Sequence, residues 1–164
     1  MFRIIAAVTG TLSALLSLIV MIVLSIQFDR KCGGHLERAA HANTVQLAAE
    51  ELQVALDYME KNELTTGYTS VLYRTPDEDL GFTYKNVKDG AIEMEKVKNS
   101  STLEQTNALM KLRESLMTHG EKGMQLNVPD GISRYPANGL FGFWFLGSVL
   151  LAVGAFVAIV AMDD

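Results

Sequence analysis

The amino-acid sequence predicts an all-α membrane protein in which two transmembrane helices flank a three-helix antiparallel bundle with an extended aromatic connection. Three observations lead to this fold class. Two long runs carry no charge, the segment between them is polar with helically spaced apolar residues, and helix-start motifs divide that segment. The 49% hydrophobic content is therefore an average over two different kinds of sequence.

The two uncharged runs cover residues 4–28 and 139–162, which are 25 and 24 residues long. A helix rises about 1.5 Å per residue, so each run is long enough to cross a hydrocarbon core of about 30 Å. The first run is longer than the apolar region of a typical secretory signal, and no small-x-small cleavage motif precedes Asp29. We therefore expect two transmembrane helices and a polar helical domain at 29–138.

Within the polar domain we expect helices at about 36–62, 76–98 and 101–119, and Gly33 and Gly34 are expected to break or bend the chain before the first. That helix carries a wide apolar face, which suits close helix packing. Its main stripe is Val45, Leu52, Leu56 and Met59, and its second stripe is Ala40, Leu47 and Val54. Ser101 and Glu104 match a capping box that opens the third helix, and residues 124–138 are expected to be irregular.

The stretch 67–84, GYTSVLYRTPDEDLGFTY, concentrates aromatic, threonine and acidic residues. Thr75, Pro76 and Glu78 match a capping box with proline at the first helical position, so Thr75 is expected to cap the second central helix. We expect the stretch to be a corner that closes the bundle. Tyr68 and Tyr73 are expected to pack on other helices or on a neighbouring subunit, with a ligand pocket as the alternative.

Small residues recur at every fourth position in both uncharged runs. Such stripes let helices approach closely within a bilayer, so they are predicted interaction positions. The stripes are Ala6, Gly10 and Ala14 in the first run, and Ser148 with Ala152 and Gly154 with Ala158 in the second. Neither run contains an ionisable residue, which argues against a proton relay or a charged ion pathway.

The sequence contains no recognisable catalytic motif. Cys32, His35 and His41 are its only Cys/His cluster, and they fall short of the four ligands of a structural zinc site. The run 77–79 of consecutive carboxylates fits the start of a helix, where the helix dipole favours negative charge. The net charge of -5 argues against nucleic acid as a partner. We therefore expect no enzyme activity, no cofactor and no metal.

Basic residues near the ends of the uncharged runs predict the orientation. The polar domain contributes five of them and Arg3 is the only one on the other side, which favours a cytoplasmic domain. The five are Arg30, Lys31, Arg38, Lys122 and Arg134. A periplasmic domain is the alternative, because long segments cross membranes regardless of charge. Architectural analogy with two-pass bacterial receptors suggests a bacterial inner membrane.

The function predicted from these features is that of a non-enzymatic, two-pass membrane scaffold or accessory subunit. It would contact the lipid bilayer and would assemble with itself or with a larger membrane complex through the small-residue stripes. The alternative is a ligand-sensing membrane module without an output domain of its own, because a helical bundle between two membrane helices is typical of receptor input modules.

Overall fold

The computed structural model describes residues 2–72, 74–120 and 123–161. The protein is mostly helical, at 74%. Its helices are α1 (Phe2–Phe28), α2 (Gly34–Ala40), α3 (Val45–Lys61), α4 (Leu80–Lys96), α5 (Thr102–Leu116) and α6 (Asn138–Val160). A π-helical turn at Asp29–Gly33 joins α1 to α2, and short 3-10 turns lie at Pro76–Glu78 and Ile132–Arg134. The strands β1 (Met117–Gly120) and β2 (Gly123–Leu126) form a hairpin.

Two long apolar helices, α1 with its continuation to Ala40 and α6, are long and apolar enough to span a membrane. They run antiparallel, because Gly10 lies beside Ala152 while Ser13 lies beside Ser148. Only 11% and 6% of their most apolar windows are buried within the protein. A core helix of a soluble protein would bury most of that surface, whereas these helices direct it outward.

The chain passes through Gly33 and Gly34 without leaving the helical conformation, whereas the sequence predicts a break or a bend. Both glycines occupy crowded positions where the π-helical turn passes into α2. A Cβ at Gly34 would lie 2.9 Å from the Asp29 carbonyl oxygen, and one at Gly33 would lie 3.4 Å from the Phe28 ring. The glycines therefore accommodate the turn, and α1 continues directly into α2.

The structure divides the helix predicted at 36–62 into α2 and α3. The hydroxyl of Thr44 accepts a hydrogen bond from the Leu47 N–H at 3.2 Å and begins α3 as its N-cap. The apolar spacing continues across this break, so periodicity alone conceals it. The two helices run antiparallel, since Phe28 packs on Tyr58 and, farther along, His35 reaches Glu51.

The polar domain therefore contains four packed helices where the sequence predicts three. Helix α2 packs on α3 and α5, and α4 packs on the same two neighbours, so the helices form a closed ring. The fourth member is the extension of the first apolar helix. The largest fully buried side chains of this core are Leu36, Leu52, Met59, Leu80, Val87 and Met94.

The β1–β2 hairpin departs from the predicted all-α fold. Helix α5 ends at Leu116, short of the predicted 119, because Met117 has extended backbone angles. The freed Leu116 carbonyl accepts a hydrogen bond from the Asn127 N–H at 2.7 Å, which satisfies a helix-end carbonyl through the returning strand. His119, expected at a helix end, lies on β1.

Helix α3 ends in a Schellman motif that places a glutamate in left-handed backbone. The Leu64 N–H donates to the Met59 carbonyl at 2.8 Å, and the Glu63 N–H donates to the Glu60 carbonyl at 3.2 Å. Leu64 and Met59 are both buried, which supplies the usual apolar contact. Glu63 has φ 57°, a conformation that normally favours glycine.

We predict that Glu63→Gly raises the stability of the polar domain by about 0.5–1 kcal/mol, because relief of left-handed strain exceeds the added entropy of the unfolded chain. Thermal unfolding followed by circular dichroism provides the measurement. Lys61→Gly, in the last helical position, serves as the control and should lower stability by up to about 1 kcal/mol. Equal losses for both variants would contradict the assigned strain at Glu63.

Candidate functional site

The α1–α6 interface is the contact between Gly10 and Ser13 of α1 and Trp144, Ser148 and Ala152 of α6. The backbones approach so closely at Gly10 that a Cβ there would lie 2.7 Å from the Ala152 amide nitrogen and 3.0 Å from the Ser148 carbonyl oxygen. Both of these atoms are backbone atoms and cannot move aside alone. Only glycine fits this position at the observed helix separation.

A closed set of hydrogen bonds crosses the α1–α6 interface. The Trp144 indole N–H donates to the Ser13 hydroxyl oxygen at 2.9 Å. The Ser13 and Ser148 hydroxyls are 2.8 Å apart, and the Ser148 hydroxyl donates to the Trp144 carbonyl at 2.8 Å. The Ser13 hydroxyl is therefore the donor to Ser148, and all three donors are satisfied. Such pairing allows polar side chains to lie between helices without water.

The predicted small-residue stripes fall into two groups in the structure. Gly10, Ser148 and Ala152 meet one another within a single chain, and Ala6 and Ala14 are half-buried. In the second group, Ala158 is half-buried, and Gly154 is exposed, with open space where a Cβ would lie. The stripe of α1 and the pair Ser148 and Ala152 of α6 therefore pack α1 against α6 within one chain.

The connection between α3 and α4, residues 62–79, is extended in part and folds back on itself. Tyr68 pairs with Asp79 in an isolated antiparallel bridge, and the Leu80 N–H donates to the Gly67 carbonyl at 2.9 Å. Tyr68 is 37% exposed, and its ring centroid lies 5.8 Å from the Arg74 guanidinium. Tyr73, the other predicted aromatic contact, lies outside the described residues.

Two caps act in succession before α4, where the sequence predicts one. Thr75 begins the 3-10 turn, and its hydroxyl donates to the Glu78 carboxylate at 3.0 Å. Asp79 then caps α4, accepting a hydrogen bond from the Phe82 N–H at 3.2 Å. Glu78 and Asp79 of the acidic run thus act at helix starts. There a carboxylate accepts hydrogen bonds from backbone N–H groups that have no partner within the helix.

The connection is also fastened to the beginning of α6. The Asn138 side-chain amide donates to the Thr69 carbonyl at 2.7 Å and to the Gly131 carbonyl at 3.1 Å. A Cβ at Gly139 would lie 3.3 Å from a Val71 methyl group. Asn138, like Ser13 and Trp144, was not singled out by sequence reasoning, because its partners are distant in the chain.

The Cys/His cluster of the sequence does not converge on one point. The Cys32 thiol faces the Ala55 carbonyl at 3.9 Å, while His41 Nδ1 bonds the Glu37 carbonyl oxygen at 2.8 Å. His35 lies 2.6 Å from the Glu51 carboxylate. Cys32 is fully buried, and burial raises the pKa of its thiol to about 12. The thiol is therefore protonated and unreactive at neutral pH.

Glu51 joins α2 to α3 through contacts with two side chains. Its side chain is 8% exposed, and its carboxylate lies between His35 and the Arg38 guanidinium, which is 2.5 Å away. A buried carboxylate requires such partners, because an unpaired charge there would be strongly destabilising. The cluster holds the end of the long N-terminal helix to the bundle.

Over residues 2–72, 74–120 and 123–161, no group of three or more His, Cys, Asp and Glu side chains could hold a metal ion. Comparisons with protein-family models, curated proteins and solved structures found no match to this chain. The function is therefore inferred from the arrangement of the helices and their surfaces.

We predict that Gly10→Leu separates α1 from α6 and lowers the stability of the protein in detergent by about 1–3 kcal/mol, as expected for overpacking. Thermal unfolding and the efficiency of a disulfide engineered between the two helices provide the measurements. Gly154→Leu is the matched control, since its Cβ meets nothing within 4 Å. Equal behaviour of the two variants would contradict a close contact at Gly10.

Proposed function

We propose that this chain is a non-enzymatic, two-pass membrane protein that acts as a scaffold or accessory subunit. One observation carries the proposal: the first apolar helix continues through the π-helical turn into the four-helix domain without interruption. A domain joined in this way is held in a defined orientation to its membrane anchor. Such an arrangement suits the positioning of partners at a membrane surface.

The surface of the helix pair supports a place in the bilayer. The polar groups of Ser13, Trp144 and Ser148 are paired with one another, and the outward faces are apolar. Among the exposed apolar side chains are Ile19 and Val23 of α1 and Leu150 and Phe156 of α6. Lipid chains would cover these apolar side chains, and the exposed Thr11 hydroxyl donates to the Ala7 carbonyl within α1.

A partner surface is proposed on α3, outside the apolar spans. Leu47 and Val54, seven residues apart on one side of α3, remain 42% and 44% exposed. They belong to the second apolar stripe of the sequence, whose remaining member, Ala40, is buried. We propose that a second copy of the chain or a membrane-protein partner covers this strip.

A ligand sensor, the alternative function, would need space for its ligand in the polar domain. A cavity of about 60 Å³ lies between α4, the end of α5 and residues 127–129. This volume holds only a few water molecules, whose share of liquid volume is roughly 30 Å³ each. A larger space of about 660 Å³ lies in a surface groove between α3 and α4, lined by side chains that include Glu50, Glu60, Lys88 and Ile92. A ligand of the sensor alternative would bind in this groove, whereas the uninterrupted helix favours the scaffold.

We propose that the polar domain lies in the cytoplasm of a bacterial cell. We therefore predict from which side of the membrane a cysteine on its surface can be labelled. An impermeant maleimide should modify Leu103→Cys, 72% exposed on α5, only after the inner membrane is permeabilised. Cys32 is an internal control, because a buried thiol with a pKa of about 12 should react only after unfolding. Labelling of Leu103→Cys in spheroplasts with an intact inner membrane would place the domain on the periplasmic side.

We further predict that a photo-reactive amino acid at Val54 forms crosslinks in native membranes, because the α3 strip is covered by a partner. Mass spectrometry of the adduct distinguishes a second copy from another protein. The same amino acid at Lys111, exposed on α5, is the control and should form no specific adduct. A strictly monomeric chain without adducts at Val54 would refute assembly through this strip.

A further inference from the structure

The connection presents an apolar tip, Val71 and Leu72, to its surroundings. Val71 is 60% exposed and Leu72 is 83% exposed, the highest value among the large apolar side chains of the described residues. Two adjacent apolar side chains at a loop tip cannot be explained by the core, since neither is buried in it. They mark a contact with a surface that accepts apolar groups.

The position of the tip identifies that surface. The Asn138 amide holds the Thr69 carbonyl at 2.7 Å, and Val71 packs over Gly139 at 3.3 Å from its Cβ position. The tip is therefore level with the first turn of α6, where the apolar run begins. Leu140, which follows at once, is itself 74% exposed. The tip and Leu140 thus expose apolar side chains near the same end of α6.

Charged and aromatic groups beside the tip match the composition of a bilayer interface. Arg74 lies two residues beyond Leu72 and stacks over the Tyr68 ring at 5.8 Å. Arg134, which lies four residues before α6, reaches Met21 of α1 at 3.1 Å. Arginine and tyrosine are typical of the level at which transmembrane helices leave the hydrocarbon. Of the three carboxylates that follow, Asp79 caps α4, Glu78 accepts a hydrogen bond from the Thr75 hydroxyl, and Asp77 is exposed.

From this placement we propose that Val71 and Leu72 insert into the interfacial layer of the lipid bilayer. This proposal rests on the proposed function, in which α1 and α6 span the membrane. The connection is then a third attachment point, beside the two spans, with Arg74 placed to meet lipid phosphates. Three points define a plane, so the attachment restricts tilting of the four-helix domain relative to the membrane.

The test uses the full chain in vesicles of phosphatidylcholine and phosphatidylglycerol that contain a nitroxide-labelled lipid. An environment-sensitive fluorophore is attached to Leu72→Cys, and quenching by the nitroxide is measured. Leu103→Cys is the matched control, because this leucine is 72% exposed but lies at the opposite end of the antiparallel bundle. Leu150→Cys, on the outward face of α6, reports whether the helix pair itself is in lipid.

We expect quenching at Leu72→Cys to be several-fold stronger than at Leu103→Cys, together with a blue-shifted emission, and quenching at Leu150→Cys to be stronger still. If Leu150→Cys is quenched while Leu72→Cys behaves like Leu103→Cys, the tip is not inserted and the proposed function stands. In that case the apolar tip would contact a protein partner in the native membrane, and not the lipid. If Leu150→Cys is not quenched, the membrane placement and the inserted tip are both refuted.

Discussion

The structure depends on one continuous helix. Its first part, α1, packs on α6, and its extension, α2, belongs to the four-helix domain. From Ile4 to Phe28 its surface is apolar on most sides, whereas from Cys32 to Ala40 only the face toward α3 and α5 is apolar. The change falls at the π-helical turn, where Phe28 is already buried against Tyr58. Because one continuous rod enters both the helix pair and the bundle, the orientation of each determines that of the other.

The second junction between the two parts is made by side chains that are far apart in sequence. Asn138 ties the α3–α4 connection to the first turn of α6, and Arg134 reaches across to α1. Without these contacts, α6 would be held to the bundle through its packing on α1 and through the chain from β2. With both junctions in place, the bundle is fixed to the helix pair on two sides.

The polar groups inside each part set limits on substitution. In the helix pair, Ser13, Trp144 and Ser148 satisfy one another, so removal of one leaves another without its partner. In the bundle, Glu51 is held by His35 and Arg38 in the same way. In both places these polar contacts join two helices, so they constrain how one helix lies against the other.

Several elements could be predicted from local sequence because their causes are local. The two uncharged runs became the two long apolar helices, since length and composition alone decide that property. The start of α5 at Ser101 depends on a hydrogen bond to Glu104 three residues away. The fourth bundle helix was missed because Thr44 interrupts an apolar periodicity that otherwise continues from 36 to 62.

What only the tertiary structure decided is which surfaces meet. The spacing of Gly10 and Ala14 shows that a helix can be approached closely, but it does not show by what, and the structure assigns that place to α6 of the same chain. The partners of Asn138 and Ser13 are separated from them by 69 and 135 residues. Sequence by itself determined the two long apolar helices and the start of α5, because their causes lie within one segment, and the fold determined every contact that depends on how the elements are arranged in space.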